Sequence, residues 1–149
     1  MAVLICWKST SPEATREIGF KIGSSLKESA IISLMGGLGA GKTTLVKGLA
    51  AALSIKEEIT SPSFTIIAHY QGTLPLVHID LYRITGIEEL EELGLEEIFD
   101  SKGISVVEWG EKALSLFAGY GYGQDRFIRV KIEMEKNGSR RIEIQGLDI

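Results

Sequence analysis

The chain has 149 residues and a formal net charge of −4. This length is enough for one domain with a buried core, and the negative charge excludes a global basic field that would attract nucleic acid or anionic lipid. The single cysteine, Cys6, excludes an intrachain disulfide and makes the reducing cytoplasm the simplest location. We therefore expect residues 1–149 to form one cytoplasmic domain, with no membrane-spanning segment and no signal peptide.

The first part of the chain predicts a strand, a helix and a second strand. Val3–Trp7 is an apolar run typical of a strand. Ser11 is a suitable N-cap, and Pro12 suits the first helical position. Apolar side chains then recur every four residues, which places them on one face of a helix. These side chains are Ala14, Ile18, Ile22 and Leu26. Ala30–Met35 follows as a continuous apolar run, typical of a buried strand.

The next segment, Gly36–Thr44, has the G-x-x-x-x-G-K-[ST] pattern of a phosphate-binding loop. Glycines let the backbone wrap a phosphate with its N–H groups pointing inward, and the N-terminus of the following helix, predicted over Thr43–Leu53, adds partial positive charge. Lys42 would reach the β- and γ-phosphates, and the Thr43 hydroxyl would coordinate Mg²⁺. The predicted nucleotide-binding residues are Gly37, Leu38, Gly39, Ala40, Gly41, Lys42, Thr43 and Thr44. The alternative is a glycine-rich turn before an ordinary helix.

The middle of the chain predicts a hairpin and then a helix. Phe64–Tyr70 and Leu74–Ile79 are extended runs on either side of a Gln-Gly-Thr turn. Apolar residues at helical spacing follow, and this helix should stop at Gly94. The residues that mark it are Ile87, Leu90 and Leu93.

The last part of the chain predicts a central strand and a C-terminal hairpin. Ile104–Val107 is continuously apolar, which suits the middle of a parallel sheet. Phe127–Glu135 and Arg140–Gln145 alternate around Asn137-Gly138, a strong hairpin signal. The order of elements predicts an α/β fold of the P-loop NTPase type. It would have three α/β/α layers around a mixed, mostly parallel sheet, with ligand at the carboxyl ends of the strands.

Two acidic residues end predicted strands at that edge of the sheet. Asp80 follows an apolar run 38 residues after Lys42, as a Walker B acid would, and Glu108 ends the Ile104–Val107 strand. A nucleotide hydrolase needs such carboxylates to hold Mg²⁺ and to orient the attacking water. The alternatives are an Asp that caps a turn and a surface Glu that begins the next helix.

Other residues allow both a functional and a structural interpretation. The Ser61-Pro62-Ser63-Phe64 loop could respond to a γ-phosphate, or it could be a plain proline turn. His78 fits a hydrogen-bonded core histidine, and the acidic run 88–92 fits a solvated helix face. Arg83 could contact phosphate or a partner protein, or pair with a carboxylate.

Adenine nucleotide hydrolysis is the function that these patterns favour. The chain lacks the N-K-x-D segment of a guanine site and the L-S-G-G-Q-like segment of transporter ATPases. A small-metabolite kinase remains an alternative, although no Arg occurs between Arg83 and Arg126 to clamp phosphates from a lid. A nucleotide-gated binding module, in which ATP orders Thr60–Phe64 for docking, is the alternative outside the enzymes.

Four motifs together resemble the TsaE (YjeE) family of small bacterial ATPases, which serve the threonylcarbamoyladenosine modification of tRNA. In chain order they are Gly36–Thr44, Ser61-Pro62-Ser63-Phe64, His78-Ile79-Asp80-Leu81-Tyr82-Arg83 and Glu108-Trp109. The resemblance runs from about Ser9 to Glu111 in register and continues more loosely to the end of the chain. It implies ATP and Mg²⁺ as cofactors, TsaD-like and TsaB-like proteins as partners, and contact with tRNA only through that complex.

The resemblance also implies roles for single residues. The catalytic residues would be Lys42, Asp80 and Glu108, with Thr43 and Glu108 holding the metal and Asp80 as the Walker B acid beside the nucleotide. Ser11 and Thr15 match the segment that approaches the base. Gly138 and Arg140 would approach the base from the C-terminal hairpin.

The chain departs from the family pattern at several positions. Gly37 stands where Asp is usual, Ser63 replaces a Thr, and Gly110 stands where a Pro commonly follows the Trp. The segment Ala118–Gly123 lacks the expected Leu-Pro turn.

Overall fold

The computed structural model describes residues 4–114, 116 and 127–147. The segment Ala118–Gly123 and the start of the predicted first strand lie outside these residues. The strands are β1 (Leu4–Ser9), β2 (Ala30–Met35), β3 (Ile67–Tyr70), β4 (Leu76–Asp80), β5 (Ile104–Glu108), β6 (Phe127–Met134) and β7 (Arg140–Gln145). The helices are α1 (Pro12–Ser24), α2 (Lys42–Ala52), α3 (Ile87–Glu92), α4 (Leu95–Asp100) and a 3-10 helix at Gly110–Ala113.

The described strands form one seven-stranded sheet in the order β1-β7-β6-β2-β5-β4-β3. Strands β6, β2, β5 and β4 are mutually parallel, whereas the three outer pairings are antiparallel. The mixed sheet is therefore confirmed, but parallel pairing is confined to its centre. Short hairpins join β3 to β4 and β6 to β7, and a short connection can only return a strand in the antiparallel sense.

Helices cover both faces of the sheet, which confirms the three predicted layers. On one face, Ile22 of α1 and Leu45 and Leu49 of α2 pack on Ile32 and Val106 of the central strands. The opposite face carries α3 and α4. Their contacts with the sheet involve Leu90, Leu95, Phe99, Ile79 and Val107.

Helices α1 and α2 touch through glycines. A Cβ on Gly19 would lie 2.1 Å from the carbonyl oxygen of Leu45, and a Cβ on Gly48 would lie 1.9 Å from that of Arg16. Neither distance is possible for a real side chain, so both glycines are needed for this helix spacing. The close contact fixes α2, and therefore the phosphate loop at its N-terminus, against the rest of that layer.

Local differences from the predicted elements have clear causes. Phe64–Ile66 was predicted as strand. Instead, the Ile66 N–H donates to the Pro62 carbonyl at 2.7 Å, and Ile66 has φ of 70°. The chain therefore turns here, and β3 begins at Ile67. Gly94, with φ of 67°, ends α3 as predicted, and the chain then forms α4, which was not predicted. No helix in the described part of the chain is long and apolar enough to cross a membrane.

Candidate nucleotide site

An open cleft of about 600 Å³ lies at the carboxyl ends of β2, β4 and β5. Its size is within the range of small-molecule sites. Asp80 and Glu108 are the last residues of β4 and β5 and are register partners across them. The lining residues are Leu38, Gly39, Ala40, Gly41, Lys42, Thr43, Thr44, Ser61, Ser63, Phe64, Asp80, Tyr82, Arg83, Glu108 and Trp109. The structure therefore brings the phosphate loop, the Ser61–Phe64 loop and both predicted acids to one place.

The loop backbone forms a cradle before α2. Gly41 is the N-cap with φ of 109°, a left-handed conformation that favours glycine. A Cβ on Gly36 would lie 2.7 Å from the Ile132 carbonyl oxygen, whereas Gly37 and Gly39 have no atom within 4 Å of a Cβ. The loop is thus anchored at its first glycine and open at its tip, and an anion can approach its N–H groups and the N-terminus of an 11-residue helix.

Lys42 is bound to its own loop. Its Nζ donates to the carbonyl oxygens of Gly36 and Gly37, the latter at 2.9 Å, and lies 4.0 Å from the centre of the Trp109 ring. The residue is only 5% exposed. Burial lowers the pKa of the Lys42 ammonium, and nearby Glu108, Glu111 and Asp80 oppose that shift. A polyphosphate would favour the charged form and compete with the carbonyls for it.

Glu108 is the centre of a buried polar network. The Thr43 hydroxyl donates to its two carboxylate oxygens at 3.3 and 3.1 Å, and His78 Nε2 lies 2.5 Å from Oε2. His78 is fully buried, and its Nδ1 has no partner among the described residues. His78 is thus the hydrogen-bonded core histidine that the sequence favoured, and its partner is a predicted metal ligand.

Asp80 connects the cleft to the Ser61–Phe64 loop. Its Oδ2 accepts from the Ser61 hydroxyl at 2.8 Å, and its Oδ1 accepts from the Tyr82 N–H at 2.9 Å. The Ser61 and Ser63 hydroxyls are 3.1 Å apart. Asp80 therefore caps a turn, as the structural alternative had it, and also lines the cleft.

The donor set in the cleft fits Mg²⁺. This cation prefers hard oxygen ligands and is held through one or two carboxylates together with phosphate oxygens and water. Thr43 offers a hydroxyl, while Glu108 and Asp80 offer carboxylates that are only 3% and 4% exposed. Among the described residues no three His, Cys, Asp or Glu side chains form a metal cluster, so phosphate oxygens would have to complete the set.

Aromatic and basic side chains form the outer rim of the cleft. Phe64 is 85% exposed, and the Arg83 guanidinium lies 5.1 Å from its ring centre. Tyr82 and Trp109 have ring centres 5.1 Å apart. Lys112 donates to the Tyr82 carbonyl at 2.7 Å and fixes this side of the rim. Arg83 therefore contacts an aromatic ring and, within the described part of the chain, forms no ion pair with a carboxylate.

Ser11 and Thr15 lie close to the loop in a hydrogen-bonded corner. The Ser11 hydroxyl accepts from the Ala14 N–H at 3.1 Å and caps α1, as predicted. Thr15 is buried with its hydroxyl 2.7 Å from that of Ser9, and its methyl lies 3.8 Å from where a Gly41 Cβ would be. Their proposed contact with a base stays a prediction.

Comparison with known proteins identifies the family. A sequence profile described as "Threonylcarbamoyl adenosine biosynthesis protein TsaE" matches residues 9–142. The chain belongs to the TsaE family. The resemblance carried by the four motifs is thereby confirmed.

Several TsaE relatives match most of the chain. The tRNA threonylcarbamoyladenosine biosynthesis protein TsaE of Treponema pallidum is 38% identical over 136 residues, 91% of this chain and 96% of that protein. The protein of that name from Bacillus subtilis is 44% identical, over 69% of this chain and 65% of its own length. The one from Nostoc is 41% identical, over 89% of this chain and 80% of its own length. The crystal structure of Bacillus subtilis YdiB matches with a TM-score of 0.77 at 32% identity, over 99% of this chain and 88% of that one.

Gly37, where the resemblance led us to expect Asp, has room for a side chain. A Cβ on Gly37 would meet no atom within 4 Å. The backbone of Gly37 instead accepts from Lys42. The loop would therefore accommodate an Asp here without repacking, and that Asp would add a negative charge to the loop.

Two contacts of this TsaE site were missed by sequence reasoning. The Arg140 guanidinium donates to the carbonyl oxygens of Gly39 and Ala40 in the phosphate loop, and the Ser61 hydroxyl reaches Asp80. Both pairs are distant in sequence. The signal available for Arg140 was its place just after the Asn137-Gly138 turn.

Proposed function

We propose that this chain is a Mg²⁺-dependent ATPase that supports the threonylcarbamoyl modification of adenosine in tRNA. One observation is the main support for ATP hydrolysis. The phosphate loop, the Thr43–Glu108 pair and Asp80 line one cleft at the carboxyl ends of parallel strands. Phosphoryl transfer depends on positioning and charge stabilisation, and this cleft offers groups for both.

Each side chain has a role that follows from its position. Lys42 leaves the loop carbonyls to neutralise charge on the β- and γ-phosphates, and the loop amides bind their oxygens. Thr43 and Glu108 would hold Mg²⁺, and Asp80 would support it from the neighbouring strand. When bound, Mg²⁺ neutralises the charge that develops on the phosphate oxygens. His78 and the Thr43 hydroxyl keep the Glu108 carboxylate turned into the cleft.

The biological role is inferred from the family. Relatives are named for tRNA threonylcarbamoyladenosine biosynthesis, and we propose that this chain acts in the cytoplasm on a complex of TsaD-like and TsaB-like proteins. It would meet tRNA only through that complex. The net charge of −4 is in keeping with an indirect contact.

The test of hydrolysis is phosphate release from ATP and from GTP, with and without Mg²⁺ and with and without the partner proteins. We expect release from ATP that requires Mg²⁺ and that falls in Glu108→Gln. Transfer of the γ-phosphate to a nucleoside or sugar, in competition with water, would instead support the kinase alternative. Phosphate release that is equal in the parent and in Glu108→Gln would contradict the proposal.

A nucleotide-gated binding module is the second candidate, and a specific observation favours it. Ser61 links the Ser61–Phe64 loop to Asp80 in the cleft, while Phe64 at the other end of that loop is 85% exposed. A ligand at Asp80 would therefore move an exposed aromatic side chain. Partner affinity that is the same with ATP and with a non-hydrolysable analogue, but lower with ADP, would favour this candidate.

A further inference from the structure

The side chain of Arg140, the first residue of β7, holds the backbone of the phosphate loop. Its Nε donates to the Ala40 carbonyl oxygen at 3.0 Å, and its Nη2 donates to the Gly39 carbonyl oxygen at 3.2 Å. The third nitrogen, Nη1, donates to the Gly138 carbonyl oxygen at 2.5 Å within the same hairpin. One guanidinium thus connects the C-terminal hairpin to the loop.

Besides Arg140, the loop is held by Lys42 and by one internal hydrogen bond, in which the Ala40 N–H donates to the Gly37 carbonyl oxygen at 3.2 Å. The tip faces open space, since a Cβ at Gly37 or Gly39 would meet no atom within 4 Å. Lys42 holds the carbonyls of Gly36 and Gly37, but a polyphosphate would draw its ammonium away, since a charged acceptor binds it more strongly than a carbonyl. Arg140 uses two other carbonyls, and its contacts persist when Lys42 moves.

The contact with Ala40 also sets the direction of an amide donor. In a trans peptide the C=O and the N–H point in opposite directions. Because Arg140 holds the Ala40 carbonyl, the Gly41 N–H points away from Arg140. Gly41 lines the cleft and is the N-cap of α2. A donor that is already oriented needs no ordering when an anion binds.

We propose that Arg140 is a positioning residue of the phosphate site, which orients the Gly41 N–H and fixes the loop backbone by holding the Ala40 and Gly39 carbonyls from outside the cleft. This assignment rests on the proposed function only in that the loop binds a polyphosphate. It differs from a contact with the nucleotide base, because Nε and Nη2 of the guanidinium donate to the loop backbone and Nη1 donates to Gly138 of the hairpin.

The test compares two ligands that share the polyphosphate but not the base. Binding of ATP and of inorganic tripolyphosphate, each with Mg²⁺, is measured by calorimetry for the parent, Arg140→Met, Arg140→Lys and Arg141→Met. Arg141 is the matched control, since it is the next residue of β7, is exposed and pairs with Glu143 at 3.0 Å. Met keeps the aliphatic stem of Arg and removes its donors.

Arg140→Met should lower the binding affinity for both ligands by the same factor, about tenfold or more. This loss is typical of hydrogen bonds to a charged group. Arg140→Lys should lose affinity as well, because one ammonium lacks the planar fork that meets two carbonyls. Arg141→Met should bind both ligands like the parent. Amide exchange of the ligand-free protein should quicken at residues 39–42 in the Arg140 variants, while exchange in α1 is unchanged.

Two results would overturn the role of Arg140. If an Arg140 variant binds ATP more weakly but binds tripolyphosphate with the parent affinity, Arg140 contacts the base. If the affinity for both ligands is unchanged, Arg140 is dispensable for binding. A parent protein that binds tripolyphosphate but releases no phosphate from ATP would contradict the proposed function and leave this comparison intact.

Discussion

At the scale of single residues, we expect Lys42 to be the charged side chain whose loss affects ATP binding and turnover most. Its ammonium lies in a buried position between loop carbonyls and the Trp109 ring. We predict that Lys42→Ala weakens ATP binding about tenfold to a hundredfold, as expected for the loss of a charged hydrogen bond, and abolishes turnover. Calorimetry and phosphate release check this, with Lys47→Ala on the same helix as the control. A Lys42→Ala protein that is folded and hydrolyses ATP at the parent rate would refute the loop assignment.

The two acids of the cleft should matter for turnover more than for binding. Asp80→Asn and Glu108→Gln keep the side-chain shape and remove the negative charge. We predict that each lowers hydrolysis by a factor on the order of 10² or more, because positioning of metal and water carries phosphoryl transfer. Phosphate release at saturating ATP measures this.

Matched controls exist for both acids. Glu97→Gln changes an exposed Glu of α4, and Asp100→Asn changes an exposed Asp at the end of the same helix. Both controls should hydrolyse ATP like the parent. If Asp80→Asn or Glu108→Gln does so as well, with partners present, that residue does not belong to the metal site.

At the scale of elements, the contact between α1 and α2 depends on Gly19 and Gly48. In a helix, alanine is more favourable than glycine by up to about 1 kcal/mol of free energy. Here, however, its Cβ would lie 1.9–2.1 Å from a backbone carbonyl oxygen. We predict that Gly48→Ala lowers the free energy of unfolding by about 1–3 kcal/mol, the usual cost of overpacking. Urea unfolding measures it. Gly86→Ala, whose Cβ would meet no atom within 4 Å, should change little, and equal stability of the two variants would contradict the packing argument.

The Ser61–Phe64 loop is the element that we expect to report the nucleotide. Amide exchange in Thr60–Phe64 should be slower with Mg²⁺ and a non-hydrolysable ATP analogue than with ADP, because the Ser61 hydroxyl already reaches Asp80 in the cleft. Ser63→Ala should reduce that difference and lower ATP affinity by only about tenfold, as for one hydrogen bond near a charged group. Equal protection in the two saturated samples would make the loop a static proline turn.

Elements with a local cause were predictable from the sequence. Ser11 and Pro12 define the start of α1, Gly94 ends α3, and the Asn137-Gly138 turn joins β6 to β7. The strand predicted at Phe64–Ile66 was wrong because the bond from Ile66 to Pro62 turns the chain, and an apolar pattern contains no information about that bond.

At the scale of the whole molecule, sequence reasoning brought the phosphate loop and the two acids to one edge of the sheet, but it did not predict the contacts that hold them there. The loop pattern and the two acids at strand ends located the cleft, because a parallel sheet brings its carboxyl ends together. Arg140 lies one hundred residues from Ala40, to which it donates, and His78 lies 30 residues from Glu108. Such pairs follow from strand order, which the periodicity of single elements does not determine.

The most direct measurement is the number of threonylcarbamoyl groups transferred per partner complex in a reconstituted reaction with tRNA and ATP. The parent chain is compared with Glu108→Gln, which should still bind ATP. We predict many rounds per complex with the parent and about one with Glu108→Gln, because the variant holds nucleotide without releasing phosphate. Equal numbers of rounds with the two proteins would contradict the claim that ATP hydrolysis by this chain supports repeated rounds of the modification.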